Sequence, residues 1–376
     1  MLKHKKILII LAAVLTLTLV GLAVYYIFFK KTGGPSLPRE EISPLTEELA
    51  PEAKERLIPI TEEAVLAASL VGSNTATGTE KIIYAAWDGS VNQINYNGQD
   101  KNKIGLAAVE RIGEVKISPN GELLSFRYGL ATGLNRYLIY NIASRSLKTL
   151  PQNVMGVSFG PSSEILLLTI GSGGAKIIQS SADLSKNKEI TTSKIPDLVL
   201  DWYNENSVAL KTRPSGLAQG ILYLLDLKTK KTKRVMGGVY GLTSNFSPSG
   251  KKVLISQTDA DGFSLQAAAI NLEKNTQRNL NLFTLPEKCA WSQDERVVFC
   301  SVIKADRAEN YIMPDDYYKR RVRSNGEEVI RVNLETGQVQ KIMANVFDAT
   351  NLFLSPDESY LFFINKIDGR LYRLTL

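Results

Sequence analysis

Six polar turns at a near-constant spacing, short strand-like runs between them, and complementary strand counts at the two ends predict an all-β fold. The architecture expected is a seven-bladed β-propeller of four-stranded antiparallel blades, preceded by a single transmembrane helix. The turns are Ser118-Pro119-Asn120-Gly121, Gly160-Pro161-Ser162-Ser163, Tyr203-Asn204-Glu205-Asn206, Ser247-Pro248-Ser249-Gly250, Ser292-Gln293-Asp294-Glu295 and Ser355-Pro356-Asp357-Glu358. Their first residues are 42, 43, 44, 45 and 63 positions apart. A period of about 40 to 45 residues built only from strands marks propeller blades.

In chain order, residues 1–6 form a short basic tail and residues 7–29 an uncharged run rich in Leu, Ile and Val. Such a run spans a hydrocarbon core of about 30 Å as a helix. It exceeds the apolar region of a cleaved signal peptide, and it closes on Tyr25, Tyr26, Phe28, Phe29 and two lysines, as an anchor does. Lys3, Lys5 and Lys6 precede it, so the positive-inside rule favours an internal tail and an extracytoplasmic domain. The expected location is the cytoplasmic (inner) membrane, single-pass. Residues 30–56 hold Gly33, Gly34, Pro35, Pro38, Pro44 and Pro51 among acidic residues and read as an extended, solvated linker.

The propeller is expected over residues 57–376. Each turn follows an apolar residue (Ile117, Phe159, Trp202, Phe246, Trp291 or Leu354) suited to packing between neighbouring blades. Second strands follow at Leu123–Phe126, Ile165–Ile170, Val253–Ser256, Val297–Cys300 and Tyr360–Ile364, with a buried helix as the rival for such apolar runs. Their shortness and flanking turn residues favour strand. Third strands are expected at Tyr137–Ile142, Ile221–Leu227, Leu265–Leu272, Val329–Leu334 and Arg370–Leu374. More polar fourth strands such as Ser146–Leu150 and Gln338–Met343 suit an exposed sheet edge.

The ends decide the count. The last blade runs out of chain after three strands, while Leu57-Ile58-Pro59-Ile60-Thr61 reads as an outer strand with no blade of its own. Pro59 fits an edge, where no ladder donor is required. Pairing residues 57–61 with the C-terminal blade would close the ring at seven.

These turns, with the later Asp226-Leu227-Lys228-Thr229 and Asn333-Leu334-Glu335-Thr336-Gly337 turns, give residues 57–376 a resemblance to TolB-type and WD-like bacterial β-propeller repeats. The resemblance implies a fold and a binding or scaffold habit, and carries no catalytic residues. Two of the turns depart from the pattern by lacking proline, at Tyr203-Asn204 and Ser292-Gln293.

Composition removes several chemistries. The only histidine is His4, in the tail, which excludes a Ser-His-Asp triad, a Cys-His pair and a histidine zinc site from the globular part. No metal site and no cofactor are expected. Net charge is +7: residues 1–31 carry +5, residues 32–63 carry −5, and the remainder +7 spread over more than 300 residues. A mildly basic outer domain suits anionic lipid heads or envelope polymers as well as plain solubility. Nucleic acid is not an expected partner in that compartment, and the oligomeric state is left open. Cys289 and Cys300 flank one turn so that they oppose each other on adjacent strands, at a separation a disulfide can span. A disulfide and two buried thiols both fit them.

The last interval is longer than the others by about 19 residues, an insertion near 304–325 between the second and third strands of the sixth blade. Tyr and Arg are enriched at binding hot spots, and insertions on rigid scaffolds often carry function. Tyr311, Asp315, Asp316, Tyr317, Tyr318 and Arg320 are therefore the candidate binding residues. The opposing reading is a structural flap plugging the channel, its tyrosines packed on neighbouring blades. Asp315 and Asp316 are adjacent, a poor arrangement for two carboxylates that must flank a bond. Asp259-Ala260-Asp261-Gly262 lacks the later ligands of a calcium loop, and Gly171-Ser172-Gly173-Gly174-Ala175-Lys176 lacks the ending of a phosphate loop. The basic run Lys228–Arg234 reads as a solvated hairpin.

Taken together these features favour a membrane-anchored, extracytoplasmic, non-enzymatic platform for a protein or anionic envelope polymer. The alternatives are a carboxylate-based enzyme acting on carbohydrate or peptide in the channel, and a sensor ectodomain.

Overall fold

A computed structural model describes residues 39–40, 56–71, 81–107, 109–130, 135–161, 164–303, 311–322, 326–346 and 348–376. Among them, seven antiparallel four-stranded sheets follow one another as the blades of a propeller. First and fourth strands are Val65–Val71 and Asn102–Leu106 in blade 1, Ile112–Ile117 and Ser146–Thr149 in blade 2, and Val154–Phe159 and Asn187–Ser193 in blade 3. They are Leu198–Asn204 and Thr232–Tyr240 in blade 4, Ser244–Phe246 and Thr276–Asn279 in blade 5, and Cys289–Trp291 and Val339–Val346 in blade 6. First strands of successive blades touch, as between blades 1 and 2 and between blades 7 and 1, so they line the axis and the fourth strands form the rim. The anchor expected at residues 7–29 lies outside the described residues. No helix among the described residues is long and apolar enough to cross a membrane. In the segment read as linker, Arg39–Glu40 pairs in parallel with the rim strand of blade 5.

The core lies between blades rather than within one sheet. Phe126 and Tyr140 of blade 2 pack with Ile83 and Val91 of blade 1, and Phe363 and Leu374 of blade 7 pack with Phe299 and Val329 of blade 6. Each sheet is thus covered on both faces, which is why the second strands are continuous apolar runs. Cys289 and Cys300 are cross-strand partners in blade 6 and are joined as a disulfide.

Blade 7 consists of Ala349–Leu354, Tyr360–Asn365, Leu371–Thr375 and, at its rim, Leu57–Pro59. Leu57 opposes Leu374 and Pro59 opposes Tyr372. Strand geometry ends at Pro59, but contact continues: the Ile60 amide donates to the Leu371 carbonyl, and Thr61 Oγ1 accepts from the Leu371 amide. Arg56 donates through Nε and Nη2 to the Thr375 carbonyl.

The repeated turns have a common hydrogen-bonding scheme that explains their composition. In four of them the leading serine (Ser118, Ser247, Ser292, Ser355) is buried, and its Oγ accepts from the amide five residues on. In three the same hydroxyl donates to the third residue, Asn120, Asp294 or Asp357. The fourth position has positive φ, natural for Gly121 and Gly250; Glu295 and Glu358 adopt it too and use their carboxylates on neighbouring blades. Glu295 accepts from the Ser249 amide and hydroxyl of blade 5, and Glu358 accepts from the Gln293 amide of blade 6. The blade 3 turn begins with glycine because Trp202 lies on it: a Cβ at Gly160 would meet the indole at 2.6 Å. Ser292→Ala, which strips the buried Val297 amide of its acceptor, should cost about 1–3 kcal/mol in a denaturation measurement, whereas an exposed serine such as Ser144→Ala should cost next to nothing.

Candidate functional site

The connections between second and third strands share one face of the propeller, and the blade 6 insertion lies across it. Its described part, residues 311–322, contains one helical turn, Asp315–Tyr318. The Asp315 carboxylate accepts from the Ser215 hydroxyl at 3.1 and 3.2 Å and from the Gly216 amide at 2.7 Å, both in blade 4. The Met313 amide donates to the Gly262 carbonyl of blade 5 at 2.8 Å. Tyr317 reaches Thr350 of blade 7 at 3.1 Å, and the Arg320 guanidinium lies over the Trp87 ring of blade 1 at 5.2 Å. The described part of the loop therefore touches blades 4, 5, 7 and 1 and forms a roof over that part of the face.

Beneath the roof lies a buried ionic network. Lys288, at the end of the 3-10 turn leading into blade 6, is 0% exposed and pairs with Glu327 at 2.7 Å and Asp348 at 2.9 Å. Glu327 also accepts from the Ser301 hydroxyl at 2.5 Å and from the Ala349 amide at 3.1 Å. Lys366 stands 3.4 Å from Asp348 and 4.0 Å from the centre of the Tyr317 ring. Burial alone would lower the Lys288 ammonium, but Glu327, Tyr317 and Asp348 outweigh it and hold Lys288 above its ordinary value. Burial depresses Lys366, against the pull of Asp348, and pushes the Tyr317 phenol well up.

Where roof, blade 7 and blade 1 meet, a cleft of about 640 Å³ opens, lined among others by Trp87, Tyr318, Arg320, Asp348, Lys366 and Ile367. Trp87, Tyr318 and Ile367 are 50, 48 and 56% exposed and border one cleft, a grouping of apolar surface expected of a contact site. The insertion residues divide accordingly. Tyr318 and Arg320 border the cleft, with the Tyr318 hydroxyl donating to Glu287 at 2.5 Å. Tyr317 is buried; Tyr311 packs with Leu265, Met313 and Val322; Asp315 is occupied by blade 4; and Asp316 accepts from the Ile312 amide and Arg321.

Sequence reasoning missed Trp87, Ile367 and the network Lys288–Glu327–Asp348–Lys366. A signal existed for the first two: Trp87 and Ile367 follow second strands and so belong to the same face as the insertion. The other motifs are plain turns. Asp259 accepts from the amides of Asp261 and Phe263, and the basic run lies exposed where blade 4 reaches its rim strand. No group of three or more His, Cys, Asp or Glu among the described residues is placed to hold a metal.

No family model matches the chain, and no curated protein matches it. Solved structures do. An oligogalacturonate lyase from Vibrio parahaemolyticus is 10% identical, covering 85% of this chain and 93% of that one, with a TM-score of 0.58. The WD40 repeats of RRP9 are 10% identical, covering 86% and 98%, with a TM-score of 0.53. These likenesses show the propeller fold. TolB from Acinetobacter baumannii is 14% identical at a TM-score of 0.45, and this chain spans only 62% of its length. A fold common to a lyase and to WD40 repeats does not choose between catalysis and binding; the site has to.

Proposed function

We propose that this protein is a membrane-anchored, extracytoplasmic, non-catalytic propeller whose roofed face binds a protein partner. Residues 7–29 are the anchor in this reading, with the propeller outside the cytoplasm. The observation that carries the binding role is the cleft rimmed by exposed Trp87, Tyr318 and Ile367 beside the Arg320 guanidinium. Aromatic and arginine side chains on a rigid support favour association because little conformational freedom is lost when they are covered. The rival carboxylate enzyme needs two facing carboxyls free to act. Glu327 and Asp348 do meet on this face, but both are hydrogen-bonded to Lys288, which supports a structural role.

Placing a photo-crosslinking residue at Ile367 in the full-length chain tests this reading. A single crosslinked species should form and be lost in the Trp87→Ala and Arg320→Ala variants, while Lys230→Ala at the distant rim leaves it intact. Crosslinking that is diffuse, or indifferent to Trp87 and Arg320, would remove the cleft from the argument. Protease added to spheroplasts should digest the propeller; protection would place it in the cytoplasm.

A further inference from the structure

A second cavity, of about 380 Å³, opens on the same face but across blades 2, 3 and 4. Its wall includes Lys116, Arg127, Arg136 and Arg213 against a single carboxylate, Glu114. Two of the guanidiniums are braced from behind. Arg127 donates through Nε to Glu114 at 2.9 Å, and Arg213 through Nε to both oxygens of Asp197 at 3.0 and 2.9 Å. Those contacts use neither terminal nitrogen of either fork. Among the described residues Arg136 has no ion pair, and its Nη1 makes long contacts, 3.4 Å to the Gln152 carbonyl and 3.5 Å to the Asn135 carbonyl. Lys116 donates to the Val157 carbonyl across the blade junction at 3.1 Å. Tyr137, which also lines the cavity, donates to the Met155 carbonyl, and burial pushes its phenol up to about 12.

Braced forks with free terminal donors are what a multiply charged oxyanion requires. A guanidinium held at Nε is restrained toward the cavity, so part of the ordering cost is met before a ligand arrives. The terminal N–H groups match a carboxylate or phosphate in paired, charge-assisted bonds. The cavity lies within the range of small-ligand sites. It is also asymmetric in charge: Glu114 on the wall and Asp197 behind Arg213 are set against four cations, leaving a positive excess.

We infer that the cavity between blades 2, 3 and 4 is a binding site for an oxyanion carrying at least two carboxylate or phosphate groups, gripped by Arg127, Arg136 and Arg213. It is separate from the roofed cleft and does not depend on the role assigned there.

The test titrates the full-length chain with pyrophosphate and with citrate by calorimetry, at low and at high salt. One or both should bind saturably at one site, more weakly at high salt, and the probe that binds names the group recognised. Arg136→Ala, which breaks no ion pair among the described residues, should keep the melting temperature of the unliganded protein and weaken binding by about tenfold or more. Arg136→Lys should fall between, keeping charge without the fork. Arg213→Ala supplies a second, independent loss. Failure of both probes to saturate, or binding unchanged in Arg136→Ala and Arg213→Ala, overturns the inference.

Discussion

Lys288→Met should destabilise the protein by about 3–5 kcal/mol in chemical denaturation, because it leaves buried carboxylates without their cation. Glu327 would lose its 2.7 Å partner, and among the described residues Asp348 would retain Lys366 at 3.4 Å. The double variant Lys288→Met/Glu327→Gln removes one charge of each sign and leaves Asp348 with Lys366, so most of the loss should return. If packing of the lysine stem were the cause, the second substitution would not rescue. Because Tyr317 rests on this network, hydrogen exchange over residues 311–322 should quicken in the single variant and slow again in the double.

The pH dependence has a definite sign. Lys288 is raised in the folded state, so its contribution is complete below the ordinary lysine value of about 10.4 and fades as pH climbs toward the folded value. Tyr317, also raised, acts in the same alkaline direction. Lys288→Met should therefore flatten the alkaline fall in stability while leaving the Tyr317 part. An alkaline limb identical to that of the parent protein would contradict the assignment.

Deleting residues 57–61 should lower the melting temperature by roughly 10 °C or more. The segment supplies the rim of blade 7, buries Ile60 and Thr61, and is bonded at Leu371, while Arg56 just before it is tied to Thr375. Losing a buried isoleucine and several backbone hydrogen bonds costs on the order of 5 kcal/mol, and each kcal/mol shifts a domain of this size by about 2 °C. The deletion also leaves the Leu371–Thr375 strand as an open edge. Supplying residues 56–64 as a separate peptide should recover part of the loss. A melting curve indifferent to the deletion would mean that the ring holds without this clasp.

Much of the ring could be read from the chain because its signals are local. Ser292 to Val297 is a self-contained hydrogen-bonded turn, and the apolar second strands differ from their observed limits by three residues at most, as Leu123–Phe126 does from Leu123–Gly129. The cleft was less legible. Trp87 is an ordinary aromatic in sequence, and it becomes a rim residue only because the insertion, more than 200 positions later, brings Arg320 against it. The charge network was invisible for the same reason: Lys288, Glu327, Asp348 and Lys366 are separated by at least 18 residues and carry no spacing motif.

By itself, then, the sequence determined the blade repeat, the strand order and the absence of histidine chemistry from the propeller, since turn bonding, strand period and composition are properties of neighbours along the chain. Tertiary structure alone decided which insertion residues face solvent, that Asp315 is consumed by Ser215 and Gly216, and that four cations converge beside blade 3. Those outcomes depend on distances between blades, and only closure of the ring sets them.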